Sequence, residues 1–269
     1  MKTRISFKKL LKLYSSVISI LVGVETFVLI FIDIPDNEKG MAAIINIIIF
    51  IVVLFFVFII SSLMTKRCLK LCGTNVIVKF GDIFEETGSK VIGFNEYFDT
   101  LVDEVLISSH SLNGQVISKY IDDISELDEK ISKDSGCKVN IVETNDNKIL
   151  GKTTKYKLGT CFKYNDYIFV AFTKFDEQNR AYLDMPNYMF CLANFWKELN
   201  RVYNGENVVI PLMGSGITRI SNSYITKQDQ LEILIDSLKY SGLSFTHEAT
   251  ISIVLPKSMK EEIKLFNLK

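Results

Sequence analysis

The sequence predicts a three-layer α/β domain preceded by a two-helix membrane hairpin. Three observations predict it. Two apolar stretches near the start are each about 20 residues long, enough to cross a hydrocarbon core roughly 30 Å thick. From Gly73 onward, six short apolar runs alternate with segments of helical periodicity. The apolar fraction is 48%, but most of the excess lies before residue 65, and the remainder has ordinary globular composition. The domains expected are therefore residues 1–72, a hairpin with basic flanks, and residues 73–269, a cytosolic ligand-binding domain.

The first apolar stretch runs from about Leu13 to Ile32, behind Lys2, Arg4, Lys8, Lys9 and Lys12. A turn-rich link, Asp33 to Gly40, contains Pro35 and breaks it. The second stretch, Met41 to Ile60, is interrupted only by Asn46 and is closed by Lys66, Arg67 and Lys70. A cleaved signal peptide fits poorly, because no small-residue cleavage site follows and a second span comes at once. A buried core hairpin fits no better, because Met41 to Ile60 has no polar face. Basic residues flank both outer ends and the link is net acidic, which places both termini in the cytoplasm of a multi-pass cell-membrane protein. Glu25 and Asn46 lie within the spans, roughly 10 and 8 Å from the link. Such groups face protein or water. Either a protonated Glu25 bonds a neighbour such as Ser19, or Asn46, within one hairpin, or Glu25 and Asn46 join hairpins in an oligomer or line a pore.

In the soluble part, strands are expected at 76–80, 90–94, 137–142, 167–172, 208–212 and 250–255. Helices are expected at 97–108, 115–131, 186–203 and 228–240. The third helix is the clearest, with Met189, Leu192, Phe195, Trp196 and Leu199 on one side and Asp184 or Asn187 as cap. Trp196 belongs to that apolar stripe and reads as core.

Several function classes are excluded or disfavoured. With 31 basic and 31 acidic residues the formal net charge is zero, which argues against a nucleic-acid partner held by bulk charge. The five cysteines form no CxxC pair, and neither His110 nor His247 is near Cys68 or Cys72. Neither a zinc site nor a disulfide framework is expected, and reduced cytosolic thiols are. No G-x-S-x-G elbow supports a serine nucleophile.

In an open α/β sheet, ligands bind where loops leave the carboxyl ends of strands. Gly81-Asp82-Ile83 follows the first strand, Asn95 ends the second ahead of Ser111-Leu112-Asn113-Gly114, and Gly214-Ser215-Gly216 follows the fifth. A carboxylate can accept a hydrogen bond from a base amine, an amide can hold a ribose, and glycine turns can present N–H groups to phosphates. Arg219 stands close by as a charged clamp. The bland alternatives are a turn at Asp82, a helix cap at Asn95 and a solvated Arg219. His110 lies next to one loop, and His247 has no obvious partner for chemistry.

The order of Gly-Asp-Ile, a strand ending in Asn95, a glycine turn opening a helix, and Pro211-Leu212-Met213-Gly214-Ser215-Gly216 resembles the macro domain over roughly residues 74–255. The resemblance implies a three-layer macro-like domain with a mixed sheet that binds ADP-ribose and its conjugates, with no further cofactor. It places Asp82 on the adenine amino group and Ile83 on the adenine through its backbone. Asn95 would stand near the distal ribose, Asn113 and Gly114 in one phosphate loop, and Gly214, Ser215, Gly216 and Ile217 in the other. With the two-span anchor and the run Phe169 to Thr173, the whole chain is similar to membrane-anchored effectors of the Thoeris antiviral system. That similarity implies sensing of an ADP-ribose conjugate made from NAD by a TIR-domain enzyme, followed by self-assembly and disruption of the lipid bilayer.

The pattern also departs from the family. Many macro hydrolases carry an Asn-x-x-Asn pair, and here Phe98 takes the second position after Asn95. The first phosphate loop is thin in glycine, and Arg219 stands where a third glycine is common. These departures favour a receptor, with no catalytic or metal-ligating residues, over the competing readings of a membrane-tethered ADP-ribosyl hydrolase or a non-catalytic anchor that recruits a partner.

Overall fold

The computed structural model describes residues 3–145, 148, 150–175, 181–215, 225–245 and 249–268, and the backbone of 219–220. Its contacts divide the chain into two compact units, Met1–Arg67 with Ile263–Lys269, and Cys68–Glu262.

The first unit is built on α1 (Phe7–Leu29) and α2 (Lys39–Leu63). Both are long and apolar enough to cross a membrane, with mean hydropathies of 1.5 and 3.4. Large apolar side chains such as Ile47 and Phe55 are exposed along them, an arrangement water would penalise. The helices are tied by Asn46 Nδ2 donating to Glu25 Oε1 and by Tyr14 Oη donating to the Phe50 carbonyl at 3.2 Å. The polar pair therefore joins the two helices of one hairpin. Leu10, Val57 and Phe266 form a small apolar cluster, and Asn267 Oδ1 accepts from Ser6 N at 2.8 Å.

The second unit carries a nine-stranded mixed sheet. Its strands are β1 (Lys66–Leu71), β2 (Thr74–Phe80), β3 (Ser89–Asn95), β6 (Cys161–Tyr164), β7 (Tyr167–Phe175), β8 (Ala181–Leu183), β9 (Val208–Pro211), β10 (Arg219–Ile220) and β11 (Thr250–Leu255). The order is β1-β2-β11-β9-β3-β7-β8-β10, with β6 pairing β7. Strands β2, β11, β9, β3 and β7 run parallel, while β6 and β8 run antiparallel to β7. A separate ribbon pairs β4 (Ile141–Thr144) with β5 (Thr154–Tyr156).

Successive strand residues point to opposite faces, so each central strand serves two layers. Ile92, Phe94, Phe169 and Ala171 pack in one core with Val116 and Ile117 of α3 (Leu112–Tyr120) and Leu127 and Ile131 of α4 (Ile124–Lys133). On the other side stands α6 (Met185–Val202), where the Tyr188 ring meets Phe172 edge-on at 6.0 Å. Trp196 Nε1 donates to Ser237 Oγ on α7 (Lys227–Tyr240) at 2.8 Å. Asp184 is the cap of α6, accepting from Asn187 N. Of its expected stripe, Leu192, Phe195, Trp196 and Leu199 are buried, whereas Met189 is 46% exposed.

Three expected elements are corrected. No helix forms over 97–108, because Asp103 Oδ1 accepts from Val105 N and Leu106 N and bends the chain into turns. The segment 115–131 is two helices, because Asp123 caps α4 by accepting from Glu126 N. Cys137 lies in α5 (Ser135–Lys138), capped by Asp134, and the strand after it belongs to the separate ribbon. Leu192→Ala should cost about 2–5 kcal/mol, whereas Met189→Ala should change stability by less than about 0.5 kcal/mol. Thermal melting of the two variants checks the pair, and equal shifts would contradict this packing of α6.

Candidate ligand-binding site

Strands β3 and β9 pair only at Ser89 with Val208 and Lys90 with Val209. Beyond that point β9 stays with β11 as far as Pro211, and β3 stays with β7 as far as Asn95. Pro211 has no N–H to offer a ladder. The two parallel strands part, and a cavity of about 510 Å³ lies at their carboxyl ends. This is the size of a small-molecule pocket, and it stands where open α/β sheets bind ligands.

At the end of β3 the register with β7 slips, so that Phe94 faces Ala171 and Asn95 faces Thr173. Such a bulge re-aims side chains. Asn95 lines the cavity although only 4% of it is exposed. Its Oδ1 accepts from Tyr97 N at 3.0 Å and Asp99 N at 3.2 Å, the bonding of a helix cap without the helix. Phe98, at the position of the absent second amide, has φ +51°, a genuine outlier for a bulky residue. Its fully buried ring packs against Phe94 and Tyr156, so it contributes nothing to the cavity wall.

The amino end of α3 forms the second wall. Ser111 Oγ and Asn113 Oδ1 both accept from Gly114 N, at 3.1 and 3.0 Å. Ser111 and Asn113 line the cavity, and the positive end of the helix faces it. Gly114 is buried behind them, where a Cβ would stand 2.2 Å from the Ser108 carbonyl oxygen. Its role is to let α3 approach that turn.

The third wall is the turn after β9. Ser215 N donates to Leu212 O at 3.2 Å, and Gly214 takes φ +80°, a conformation that favours glycine. Three carbonyls of this turn are occupied from within. Ser215 Oγ donates to Leu212 O, buried Tyr188 Oη to Met213 O, and Lys227 Nζ to Ser215 O. Burial lowers the Lys227 pKa below that of an ordinary ammonium. Gly216 and Ile217 lie outside the described residues, as do His247 and the side chain of Arg219, whose backbone pairs with Tyr182.

The cavity thus brings together Asn95, Asn113, Gly214 and Ser215. Asp82 and Ile83 are not in its lining. Asp82 is exposed and caps a short 3-10 turn by accepting from Phe84 N, while the Ile83 side chain packs with Val209, Val254 and Leu112. Other lining residues were not anticipated: Glu104, Phe172, Thr173, Phe175, Pro256 and Met259. Glu104 was hidden by the expected helix. It sits at φ +63°, and hydrogen bonds from Ser109 hold its carboxyl below the ordinary range. His110, beside it in the loop, also lines the cavity. Among the described residues no cluster of His, Cys, Asp and Glu could hold a metal ion. Cys137, Cys161 and Cys191 are buried away from the cavity, their thiols pushed up by burial.

A family model described as Thoeris protein ThsA, Macro domain, matches residues 76–256. The chain belongs to the Thoeris ThsA family. The Thoeris protein ThsA of Bacillus amyloliquefaciens (strain Y2) is 40% identical over 260 residues, covering 94% of this chain and 87% of that protein. Among solved structures, the Oceanobacillus iheyensis macrodomain with MES bound covers 73% of this chain and 91% of its own, at 10% identity and a TM-score of 0.47. The same macrodomain with ADP gives 11% identity, the same coverage and a TM-score of 0.46. Membership of the ThsA family makes this chain a macro-domain effector of the Thoeris anti-phage defence. Gly114→Ala in this ThsA-family chain should cost about 1–3 kcal/mol through the clash with the Ser108 carbonyl. A melting temperature equal to wild type would contradict the close approach of α3 to that turn.

Proposed function

We propose that the macro domain senses an ADP-ribose conjugate made by a TIR-domain enzyme, and that sensing drives self-assembly of membrane-anchored copies and disruption of the bilayer. The observation that carries the ligand half is the cavity where β3 and β9 part, bounded by the amino end of α3 and the Gly214 turn. Two features suited to anions, a helix amino terminus and a turn whose carbonyls are occupied from within, border one space. In this reading Asn95 holds a ribose, Asn113 and Gly114 support one phosphate, and Gly214, Ser215, Gly216 and Ile217 hold the other. Asp82 and Ile83 receive the adenine beyond the cavity lining, and Arg219 contacts the distal group.

The protein is a receptor in this reading, and the burial of Phe98 where hydrolases carry an amide supports that assignment. The exposed apolar faces of α1 and α2 support the membrane half, with both termini cytoplasmic.

The full protein in detergent should bind ADP-ribose in the micromolar range by calorimetry. Gly214→Glu should weaken that binding at least about tenfold, because it brings a negative charge to the phosphate turn. Dye-loaded liposomes carrying the protein should leak when given the products that a TIR-domain enzyme makes from NAD, with larger oligomers appearing in cross-linking. Failure of wild type to bind ADP-ribose up to high micromolar concentration overturns the sensor reading. Tight vesicles with bound ligand overturn the effector half alone.

A further inference from the structure

The cavity-lining Asn95 is bonded to a buried charged network. The Asp99 carboxylate is fully buried and bonded on both oxygens: Oδ2 accepts from Asn95 Nδ2 at 2.9 Å and from Lys148 Nζ at 2.7 Å, and Oδ1 accepts from Lys152 N at 2.5 Å. The Lys148 ammonium also donates to the Lys152 carbonyl at 2.9 Å and lies 3.8 Å from the centre of the Tyr97 ring. Gly151 admits this approach, since its φ is +86° and a Cβ there would stand 2.4 Å from Asp99 Oδ1. Burying an ion pair is a poor way to gain stability, so its use at this place calls for another explanation.

The explanation lies in what a carboxylate cannot do. An asparagine amide has one accepting and one donating end, and in a neutral setting it can be turned over. At Asn95 two backbone N–H groups converge on Oδ1, and an acceptor-only carboxylate meets Nδ2. Turning the amide over would set oxygen against carboxylate and NH₂ against two N–H donors. We infer that Asp99 is a positioning residue for the ligand: through Lys148 and Lys152 it locks Asn95 so that this side chain offers the cavity an N–H donor and no acceptor. The ligand group at the end of β3 must then be an acceptor, a sugar hydroxyl, ring oxygen or phosphate oxygen. This inference rests on the reading of the cavity as a nucleotide-sugar site.

Calorimetry with ADP-ribose on the full protein in detergent tests it. Asp99→Asn removes the acceptor-only partner of Nδ2 and leaves the amide held at its oxygen alone, which should weaken binding about five- to tenfold, the worth of one oriented hydrogen bond. Asn95→Ala should weaken it comparably, and adding Asp99→Asn to Asn95→Ala should weaken it no further. Losses that multiply would make Asp99 a structural residue only and overturn the inference, as would wild-type affinity in Asp99→Asn. Where thermal melting shows that Asp99→Asn alone is unfolded, the same cycle is run with the double variant Asp99→Asn/Lys148→Met, which leaves neither charge unpaired. Wild-type protein that binds no ADP-ribose removes the ligand reading and this inference together, whereas wild-type binding with an unchanged Asp99→Asn removes the inference alone.

Discussion

The site depends on a ladder that ends early. Two parallel strands that pair for only two residues and then follow different neighbours have to diverge, and their last residues come to face space. The strands part after Val209, Pro211 has no backbone donor with which to rejoin them, and the bulge turns Asn95 toward the gap. A sheet whose central strands stayed paired to their ends would have spent these main-chain groups on each other.

What borders the gap is already satisfied elsewhere. Ser111 and Asn113 cap their own helix, and the turn after β9 has Leu212, Met213 and Ser215 carbonyls occupied by the protein's own donors. Asn95 spends its oxygen on two backbone groups. Walls made this way change little when a ligand arrives, so ordering them costs binding little. The exposed rim at Glu104 and His110 is different. Its charged groups are exposed, while Leu106 and Ile107 between them anchor the segment in the core.

Much of this was legible in the chain, and the failures have physical causes. The central strands and the helices at 185–202 and 227–240 announced themselves, because buried strands read as apolar runs and capped amphipathic helices carry both a start signal and a stripe. The segment after Asn95 misled, because Leu101, Val102, Val105 and Leu106 have helical spacing while Asn95 and Asp103 bond the backbone locally, and local side-chain bonding won. Asp123 likewise stops one helix and starts another within a continuous apolar pattern. At the site, Asn95, Asn113, Gly214 and Ser215 line the cavity, since turn residues after strands mark the carboxyl edge. Phe172, Thr173 and Met259 were invisible, because their place is set by register and by the end of a distant strand. Nothing in local sequence shows that Lys148 reaches Asp99.

The bond between Glu25 and Asn46 has a bearing on motion. In the membrane-anchored reading proposed above, no water is at hand to take over either role. Sliding or prising the two helices apart therefore strands a carboxyl and an amide together. In the self-assembly proposed above, the matching pair of a neighbouring hairpin would satisfy the stranded groups again. On that proposal the bond would act as a latch with a built-in choice: closed within one copy, or reciprocally exchanged between two, with every half-open state penalised.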